Sequence, residues 1–246
     1  TENKYIMSKK LRAFILAAGY GTRLRPITFK TPKCLVEVGG QPLLYSWLKK
    51  LEKINCERTL INTHHLSHKV DSFIKDYSCG SMKIESVFEP DLLGTFGSLY
   101  ANRSWFKDRT GMLIHGDNFT KTNLIEFLDA HNSRPKGCLL TMLTFKSSTP
   151  ESCGIVETDE NDIMIDFHEK TSNPPSNLAN GAVYLFDNNF IDWFEGQQFS
   201  GNDFSLNVLP LLKNKIKIWR TNEYFIDIGT PEALNHARSL LKIKNI

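Results

Sequence analysis

The sequence has no long apolar run. Nowhere in its 246 residues do about 18 apolar residues follow one another, so it contains no candidate for a membrane-spanning helix. The first ten residues are polar and lack the apolar segment that directs secretion. We therefore expect a cytoplasmic location and no membrane partner.

Cysteine is scarce and scattered. The chain has 5 cysteines, an odd number at wide spacing, and no Cys-x-x-Cys pair. Disulfide frameworks and cysteine-based zinc sites need paired or closely spaced cysteines. The pattern is typical of reduced thiols in a cytoplasmic protein.

Charge of one sign is also missing. The 30 Lys and Arg residues nearly balance the 27 Asp and Glu residues, which leaves a net charge of +3, and no run of five basic residues occurs. An extended nucleic-acid-binding surface is therefore not expected, whereas a local basic site for phosphates is compatible with this balance. The apolar content of 41% is typical of a globular chain.

Up to residue 150, short apolar runs alternate with helical patterns. The predicted strands are 13–17, 58–62, 83–88, 112–115 and 138–145, and the predicted helices are 42–53, 66–77, 96–106 and 124–131. This alternation indicates right-handed crossovers and parallel strands covered on both faces. The predicted fold is α/β, a Rossmann-like three-layer α/β/α architecture with a predominantly parallel mixed sheet.

After residue 150 the pattern changes. Two strands joined by a turn are predicted to form an antiparallel pair; the strands are 154–157 and 163–169, and the turn is 159–162. Further strands are predicted at 182–186, 216–219 and 224–228, with helices at 189–194, 204–212 and 231–242. We expect a small antiparallel insertion on the same sheet, within a single domain of residues 11–243. Residues 1–10 are an N-terminal extension.

A glycine-containing basic loop follows the first strand. Gly19 and Gly21 let the backbone approach a ligand and turn its N–H groups toward an anion. Four cations follow at once: Arg23, Arg25, Lys30 and Lys33. The dinucleotide fingerprint would require glycine where Leu24 stands, and no Gly-Lys-Ser/Thr of a Walker loop occurs. The residues thus predict a phosphate-binding loop of another design.

The segment from Leu16 to Leu35 resembles the signature of the sugar-1-phosphate nucleotidyltransferases, the NDP-sugar pyrophosphorylases. The resemblance spans residues 13–241, with the motifs in the same order. It implies that the loop and Arg23 bind a nucleoside triphosphate and that Lys33 binds the transferring phosphate. The loop residues concerned are Leu16, Ala17, Ala18, Gly19, Gly21, Thr22 and Arg23.

Two aspartates follow predicted strands. Asp117 lies in a Gly-Asp pair, and Asp227 lies in an Asp-x-Gly-Thr segment. A single such aspartate is more often a turn or helix-cap residue, and Thr230 is the better cap for the last helix. The resemblance implies that Asp117 and Asp227 hold Mg²⁺, which needs only one or two protein carboxylates.

The resemblance also implies residues for the sugar and the base. Glu169 and Lys170 would otherwise be read as a surface ion pair of little energetic value. With the resemblance, the predicted sugar-phosphate residues are Gly154, Glu169, Lys170 and Asn180, and the predicted base-side residues are Glu89, Gly94 and Thr95. The base-side segment looks most like that of GTP-using members such as mannose- and heptose-1-phosphate guanylyltransferases.

The expected function is Mg²⁺-dependent transfer of a nucleotide, with GTP favoured, to a sugar-1-phosphate. Residues 11–150 would bind the nucleotide and residues 151–243 the sugar. Two alternatives stay open, a choline-phosphate cytidylyltransferase-like enzyme and a non-catalytic nucleotide-sugar sensor. A metal-dependent glycosyltransferase is a further rival, but it would use an Asp-x-Asp pair, and here the segment is Gly116-Asp117-Asn118-Phe119. Members of the family often form dimers or tetramers, so a homo-oligomer is a further alternative.

Overall fold

The computed structural model describes residues 10–78 and 80–242. The strands are β1 (Leu11–Leu16), β2 (Glu37–Val38), β3 (Gln41–Pro42), β4 (Arg58–Thr63), β5 (Lys83–Phe88), β6 (Thr110–His115), β7 (Asn118–Thr120), β8 (Leu140–Lys146), β9 (Gly154–Thr158), β10 (Met164–Glu169), β11 (Leu178–Phe186), β12 (Ile216–Arg220) and β13 (Phe225–Asp227). The α-helices are α1 (Leu43–Lys53), α2 (Ser67–Asp76), α3 (Gly94–Ala101), α4 (Leu124–Asn132), α5 (Asn188–Glu195), α6 (Phe204–Asn207) and α7 (Pro231–Lys242). Of the predicted N-terminal extension, residues 1–9 lie outside the described residues, as does residue 243.

Nine strands form one mixed sheet. Its main path is β10-β9-β11-β6-β1-β4-β5, with β8 beside β11 and β12 beside β8. Strands β1, β4, β5 and β6 are mutually parallel, and β11 runs antiparallel to β6, β8 and β9. Since β12 is parallel to β8 and β10 is antiparallel to β9, only β10 and β11 of these nine described strands run against the others. The predicted α/β class with a predominantly parallel mixed sheet is confirmed.

Side chains of the central strands alternate between two apolar layers. Ala13 and Ile15 of β1 pack with α1, α2 and α4, whereas Phe14 between them packs with α3, α5 and α6. Strand β6 repeats the alternation, with Ile114 in the first layer and Leu113 in the second. A period of two that buries both faces is characteristic of a strand inside a three-layer sandwich.

The antiparallel part after residue 150 extends this same sheet, as expected. Strands β9 and β10 form a hairpin, and β9 joins the sheet through Ala179 of β11. The register of β11 shifts between Asn180 and Tyr184, where Ala182 has a φ of 52°. The strand begins at Leu178, earlier than predicted. The register shift bends it within its length.

Two predicted helices are shorter than expected. Helix α3 ends at Ala101. The Asn102 side chain donates to the Ser98 carbonyl at 2.9 Å and competes there with the backbone hydrogen bonds of the helix. A separate 3-10 turn covers Arg103–Phe106. The helix predicted at 204–212 ends at Asn207, and a 3-10 turn containing Pro210 follows, since proline cannot continue an α-helix.

A separate two-stranded ribbon is the main feature that sequence patterning missed. The strand expected at 224–228 is β13, which pairs with β7 and not with the main sheet. Its register places Asp227 opposite Asn118. The ribbon thereby brings the two predicted metal aspartates, 110 residues apart in sequence, to one place.

No helix within residues 10–78 and 80–242 has the length and apolar character needed to cross a lipid bilayer.

Candidate active site

The predicted phosphate loop lies at the carboxyl edge of the parallel strands. Leu16, the last residue of β1, pairs with Asn62 of β4 and His115 of β6. The segments that leave these three strands therefore begin side by side. In open α/β sheets, ligands bind at this edge.

Gly21 gives the loop its shape. Its φ of +63° is in the left-handed region, and a Cβ there would lie 2.8 Å from the Thr28 methyl group. The Thr28 hydroxyl donates to the Gly21 carbonyl at 2.8 Å. A Cβ at Gly19 would meet nothing within 4 Å among the described residues, so the loop surface is open there.

A polar network joins the loop to the predicted base-side segment. The Ala17 amide donates to Asn62 Oδ1 at 2.6 Å, and Asn62 Nδ2 donates to Glu89 Oε1 at 2.9 Å. Ser98 donates to the same carboxylate oxygen at 2.6 Å. Glu89 is only 3% exposed, so its carboxylate holds the segment in place. Sequence reasoning missed Asn62, although an amide near the end of an apolar strand was a usable signal.

Gly94 and Thr95 lie under a later segment of the chain. The left-handed Gly94, with a φ of +75°, lies so close to the Asn202 carbonyl that a Cβ would collide with it. The Thr95 hydroxyl accepts a hydrogen bond from the Phe204 amide at 2.8 Å. The base-side segment is therefore tied to the second half of the chain.

Lys33 and the two aspartates converge. The Lys33 ammonium forms an ion pair with Asp117 Oδ2 and lies 3.5 Å from Asp227 Oδ1. Lys33 is largely buried, with 14% of its side chain exposed, whereas 56% of the Asp227 side chain is exposed. The ammonium thus reaches the cluster from inside the protein, and Asp227 faces the open side.

The three charges control one another's ionisation. Burial acts to lower the pKa of Lys33, but Asp117 and Asp227 outweigh it, so the pKa is raised. Burial acts to raise the pKa of Asp117, but Lys33 and then His115 outweigh it, so the pKa is lowered. Burial and the neighbouring Asp117 raise the pKa of Asp227. The pair Lys33 and Asp117 is therefore charged at neutral pH.

The ribbon fixes the positions of both aspartates. The Ile228 amide donates to the Asp117 carbonyl at 3.0 Å. Trp47 Nε1 on α1 donates to the Asn118 carbonyl at 2.9 Å, and Asn118 Nδ2 donates to the Gly181 carbonyl at 3.0 Å. Hydrogen bonds to the backbone next to Asp117 thus come from both halves of the chain.

Arg23 borders the same cluster. A Cβ at Gly229 would lie 3.1 Å from Arg23 Nη2 and 3.2 Å from Asp227 Oδ2. The guanidinium and the carboxylate therefore flank Gly229, and any larger residue there would press on both. The four predicted catalytic residues, Arg23, Lys33, Asp117 and Asp227, lie together.

The predicted sugar-side residues Gly154, Glu169 and Lys170 also lie together. A Cβ at Gly154 would lie 2.7 Å from Glu169 Oε2, so glycine makes room for that carboxylate. Lys170 Nζ lies 3.6 Å from Glu169 Oε1, and 63% of the Lys170 side chain is exposed. Burial raises the pKa of Glu169, with Lys170 opposing this and the nearby Asp203 carboxylate reinforcing it.

Asn180 lies inside β11 and not before a strand. Its Nδ2 donates to the Tyr184 hydroxyl at 2.7 Å, and its Oδ1 accepts from the Ala182 amide at 2.8 Å. These bonds stabilise the bend of β11. A contact between Asn180 and a sugar stays a prediction.

His115 is a further site residue that sequence reasoning left without a role. It precedes Gly116 and Asp117 at the end of β6, and its buried Nε2 has no hydrogen-bond partner among the described residues. Burial lowers its pKa, although Asp117 acts in the opposite direction. A neutral imidazole therefore stands beside the aspartates.

A cleft of about 750 Å³ opens at the cluster. Arg23 and Asp227 line this cleft. Hydroxyl-bearing residues of the segment after β8 and His236 on α7 also line it. This volume falls within the range of small-molecule sites. Glu169 and Asn180 are not among the residues that line this cleft.

The donor set at the aspartates fits a hard divalent cation. Asp117 and Asp227 offer carboxylate oxygens to one point, since both contact the same ammonium, and Asp227 is open to solvent. A different group of Glu157, Asp166 and His168 lies on the β9–β10 hairpin, with ligand atoms within 4.8 Å of one another. There Lys213 lies 2.7 Å from Asp166 and already neutralises it.

The chain matches the family model described as Nucleotidyl transferase over residues 12–243. A mannose-1-phosphate guanylyltransferase of Mycobacterium tuberculosis is 31% identical over 225 residues, which cover 89% of this chain and 61% of that protein. A D-glycero-alpha-D-manno-heptose 1-phosphate guanylyltransferase of Campylobacter jejuni is 30% identical over 227 residues, 92% of this chain and 98% of that protein. The chain thus spans about three fifths of the first relative and nearly all of the second.

The fold is also similar to that of solved structures. The crystal structure of HddC from Yersinia pseudotuberculosis superimposes with a TM-score of 0.77 at 25% identity, covering 93% of this chain and 98% of that one. Enzymes of the matched family generally use a divalent metal ion, in keeping with the paired aspartates. Because the family model covers residues 12–243, nearly the whole sequence, the chain belongs to the nucleotidyl transferase family.

Proposed function

We propose that this protein transfers a nucleotide from a nucleoside triphosphate to a sugar-1-phosphate and releases pyrophosphate. The observation that carries the proposal is the convergence of Lys33, Asp117 and Asp227 beside the glycine loop. Residues 11–150 would hold the nucleotide and residues 151–243 the sugar. Because Asp117 and Asp227 come from different halves, the cluster lies where two substrates would meet.

The reaction would be an in-line displacement. An oxygen of the sugar-1-phosphate attacks the α-phosphorus, the bond to the β-phosphate breaks, and pyrophosphate leaves. No protein nucleophile is required, so the protein acts by alignment and by neutralising charge. The open backbone at Gly19 would receive the triphosphate, with Arg23 on its β- and γ-phosphates and Lys33 on the transferring phosphate.

Asp117 and Asp227 would hold Mg²⁺, which would orient both substrates and lower the repulsion between their phosphates. The lowered pKa of Asp117 keeps this carboxylate ionised and ready to bind a cation. The exposed side of Asp227 leaves room for water and phosphate oxygens. Lys33 would then exchange part of its contact with the aspartates for a contact with phosphate.

The favoured nucleotide is GTP. Both relatives named above are guanylyltransferases, and the segment around Glu89, Gly94 and Thr95 supports the same choice. Relatives named for adenylyl and uridylyl transfer also match the chain, so the base must be tested directly. On the sugar side, Glu169 would accept hydrogen bonds from hydroxyls and Lys170 would bind the sugar phosphate, with Gly154 and Asn180 shaping the site.

The test is a turnover panel. Purified protein with Mg²⁺ is given each of the four common nucleoside triphosphates with mannose-, heptose- and glucose-1-phosphate, and with phosphocholine, and released pyrophosphate is measured. We expect release with at least one sugar phosphate, fastest with GTP. Release with phosphocholine alone would contradict the sugar proposal, and no release with any pair would contradict the catalytic one.

A further inference from the structure

A second, basic cavity is lined by neither Arg23 nor Lys33. It has a volume of about 220 Å³ and opens between α1 and β7. Its lining combines lysines with apolar and aromatic side chains: Val38, Gln41, Leu43, Tyr45, Ser46, Lys49, Lys50, Lys53 and Phe119. None of these residues belongs to the proposed active site.

The three lysines differ in their partners. Lys49 is paired with Glu52 at 2.8 Å and lies over the Tyr45 ring. Among the residues that the structure describes, the Lys50 ammonium donates only to the Ser46 hydroxyl, at 3.3 Å. Neither Lys50 nor Lys53 forms an ion pair within the described part of the chain. The cavity therefore has an uncompensated positive charge.

The environment of Lys50 is unfavourable for its charge. Burial lowers its pKa to about 8, and the neighbouring cations Lys53 and Lys121 act in the same direction. A half-buried cation that is opposed by two neighbouring cations is costly unless an anion neutralises it. An anion in this cavity would remove that cost.

The floor of the cavity is apolar. Val38, Leu43 and Phe119 are all more than 90% buried and belong to the small core between α1, α7 and the ribbon. A ligand would thus meet cations at the rim and hydrocarbon at the floor. This combination suits a molecule with an anionic group and a less polar remainder. A volume of about 220 Å³ limits that molecule to a small one.

We propose that this cavity binds a small phosphate-bearing molecule, with the phosphate between Lys50 and Lys53 and the less polar part on Val38, Leu43 and Phe119. Lysine acts as a point charge toward phosphate oxygens. Phe119 lies on β7, two residues after Asp117, so the bound molecule contacts the ribbon that carries the aspartates. None of the proposed nucleotide or sugar residues lines this cavity.

The experiment follows the Lys50 side chain itself. The ¹³Cε resonance of Lys50, assigned with the Lys50→Arg variant, is titrated with pH in the whole protein at constant ionic strength. Inorganic phosphate and phenyl phosphate are the probes, and chloride is the reference anion. We expect both probes to raise the pKa of Lys50 by at least one unit in a saturable way, and phenyl phosphate to bind at least fivefold more tightly because of the apolar floor.

Two variants control the result. Lys53→Gln should weaken binding of phenyl phosphate at least fivefold, whereas Lys136→Gln, an exposed lysine outside the cavity, should leave it unchanged. Because the resonance of Lys50 reports locally, binding of a probe at the active site does not produce the signal. An unchanged Lys50 pKa, equal binding by the Lys53 variant, or no preference for the phenyl ester would overturn the proposal.

Discussion

At the scale of single residues, Lys33 occupies the most constrained position of the site. It is one of several cations that follow the glycine loop, but only its ammonium reaches both aspartates. Lys30, three residues earlier, is exposed, and its side chain makes no hydrogen bond or ion pair within the described residues. The two lysines are therefore a matched pair for a test.

Lys33→Ala should reduce turnover at least tenfold, which corresponds to about 1.4 kcal/mol of barrier. The reason is the loss of the cation that would contact the transferring phosphate. Lys30→Ala should retain turnover within twofold. Both are measured as kcat/KM from released pyrophosphate, and equal rates in the two variants would remove Lys33 from the mechanism.

Substitutions at Gly21 and Gly19 should have different effects, one on the stability of the protein and the other on ligand binding. Gly21→Ala should lower the free energy of unfolding by at least about 1 kcal/mol, because its left-handed φ and its contact with Thr28 disfavour a Cβ. Gly19→Ala should leave stability within about 0.5 kcal/mol, since its Cβ would project into open space. It should instead weaken binding of the nucleoside triphosphate. Urea unfolding and calorimetric titration measure the two effects, and a reversed order of stability would contradict this assignment.

At the scale of elements, Asp187 joins two helices to the sheet. It begins α5, accepts from Arg134 Nη2 at 2.7 Å beyond the end of α4, and accepts from Thr110 of β6 at 2.8 Å. His131 of α4 lies 3.6 Å away. Burial acts to raise the pKa of Asp187, but His131, Arg134 and Thr110 outweigh it, so the pKa lies well below its usual range.

Because the pKa of Asp187 is lowered in the folded protein, ionisation of its carboxyl group stabilises the folded state. The stabilisation is fully present above the unfolded value of about 3.9 and is lost as pH falls toward the folded value. Asp187→Asn should therefore destabilise the protein by about 2 kcal/mol at pH 7, with a smaller difference from wild type below about pH 4. Asp129→Asn, at an exposed carboxylate on α4, is the control. A difference that does not shrink in acid would contradict the argument; urea unfolding across the pH range measures it.

Element boundaries were predictable where local signals were strong. Helix α1 was expected at 42–53 and spans Leu43–Lys53, since its apolar residues recur at helical spacing. Strand β5 was expected at 83–88 and has those bounds. Strands β7 and β13 have only three residues each, too few for periodicity, so their pairing came from the structure alone.

At the scale of the whole molecule, the proposed site joins the two halves of the chain. Asp117 comes from the first half and Asp227 from the second, and Thr95 accepts a hydrogen bond from Phe204 across the same divide. A ligand at this junction would bind only the folded protein. Its binding therefore adds to stability by mass action.

GTP with Mg²⁺ at a hundred times its dissociation constant should add about 2.7 kcal/mol to stability. For a chain of this size, this raises the melting temperature by roughly 5 to 10 °C. Asp227→Asn should reduce the Mg²⁺-dependent part of this increase, because the substitution replaces a negatively charged carboxylate with a neutral amide. Thermal unfolding monitored by circular dichroism measures the shift, and an equal increase with and without Mg²⁺ would contradict the metal assignment.

The sequence by itself determined the fold class, the order of most elements and the resemblance to the family. Strand periodicity and the glycine loop are local properties, so they can be read from neighbouring residues. The tertiary structure alone decided that Asp117 and Asp227 share one ammonium, and that Glu89 is tied to Asn62 and Ser98. It also decided that three lysines border a cavity. These contacts join residues far apart in the chain, and their distances depend on how the elements pack and not on any local pattern.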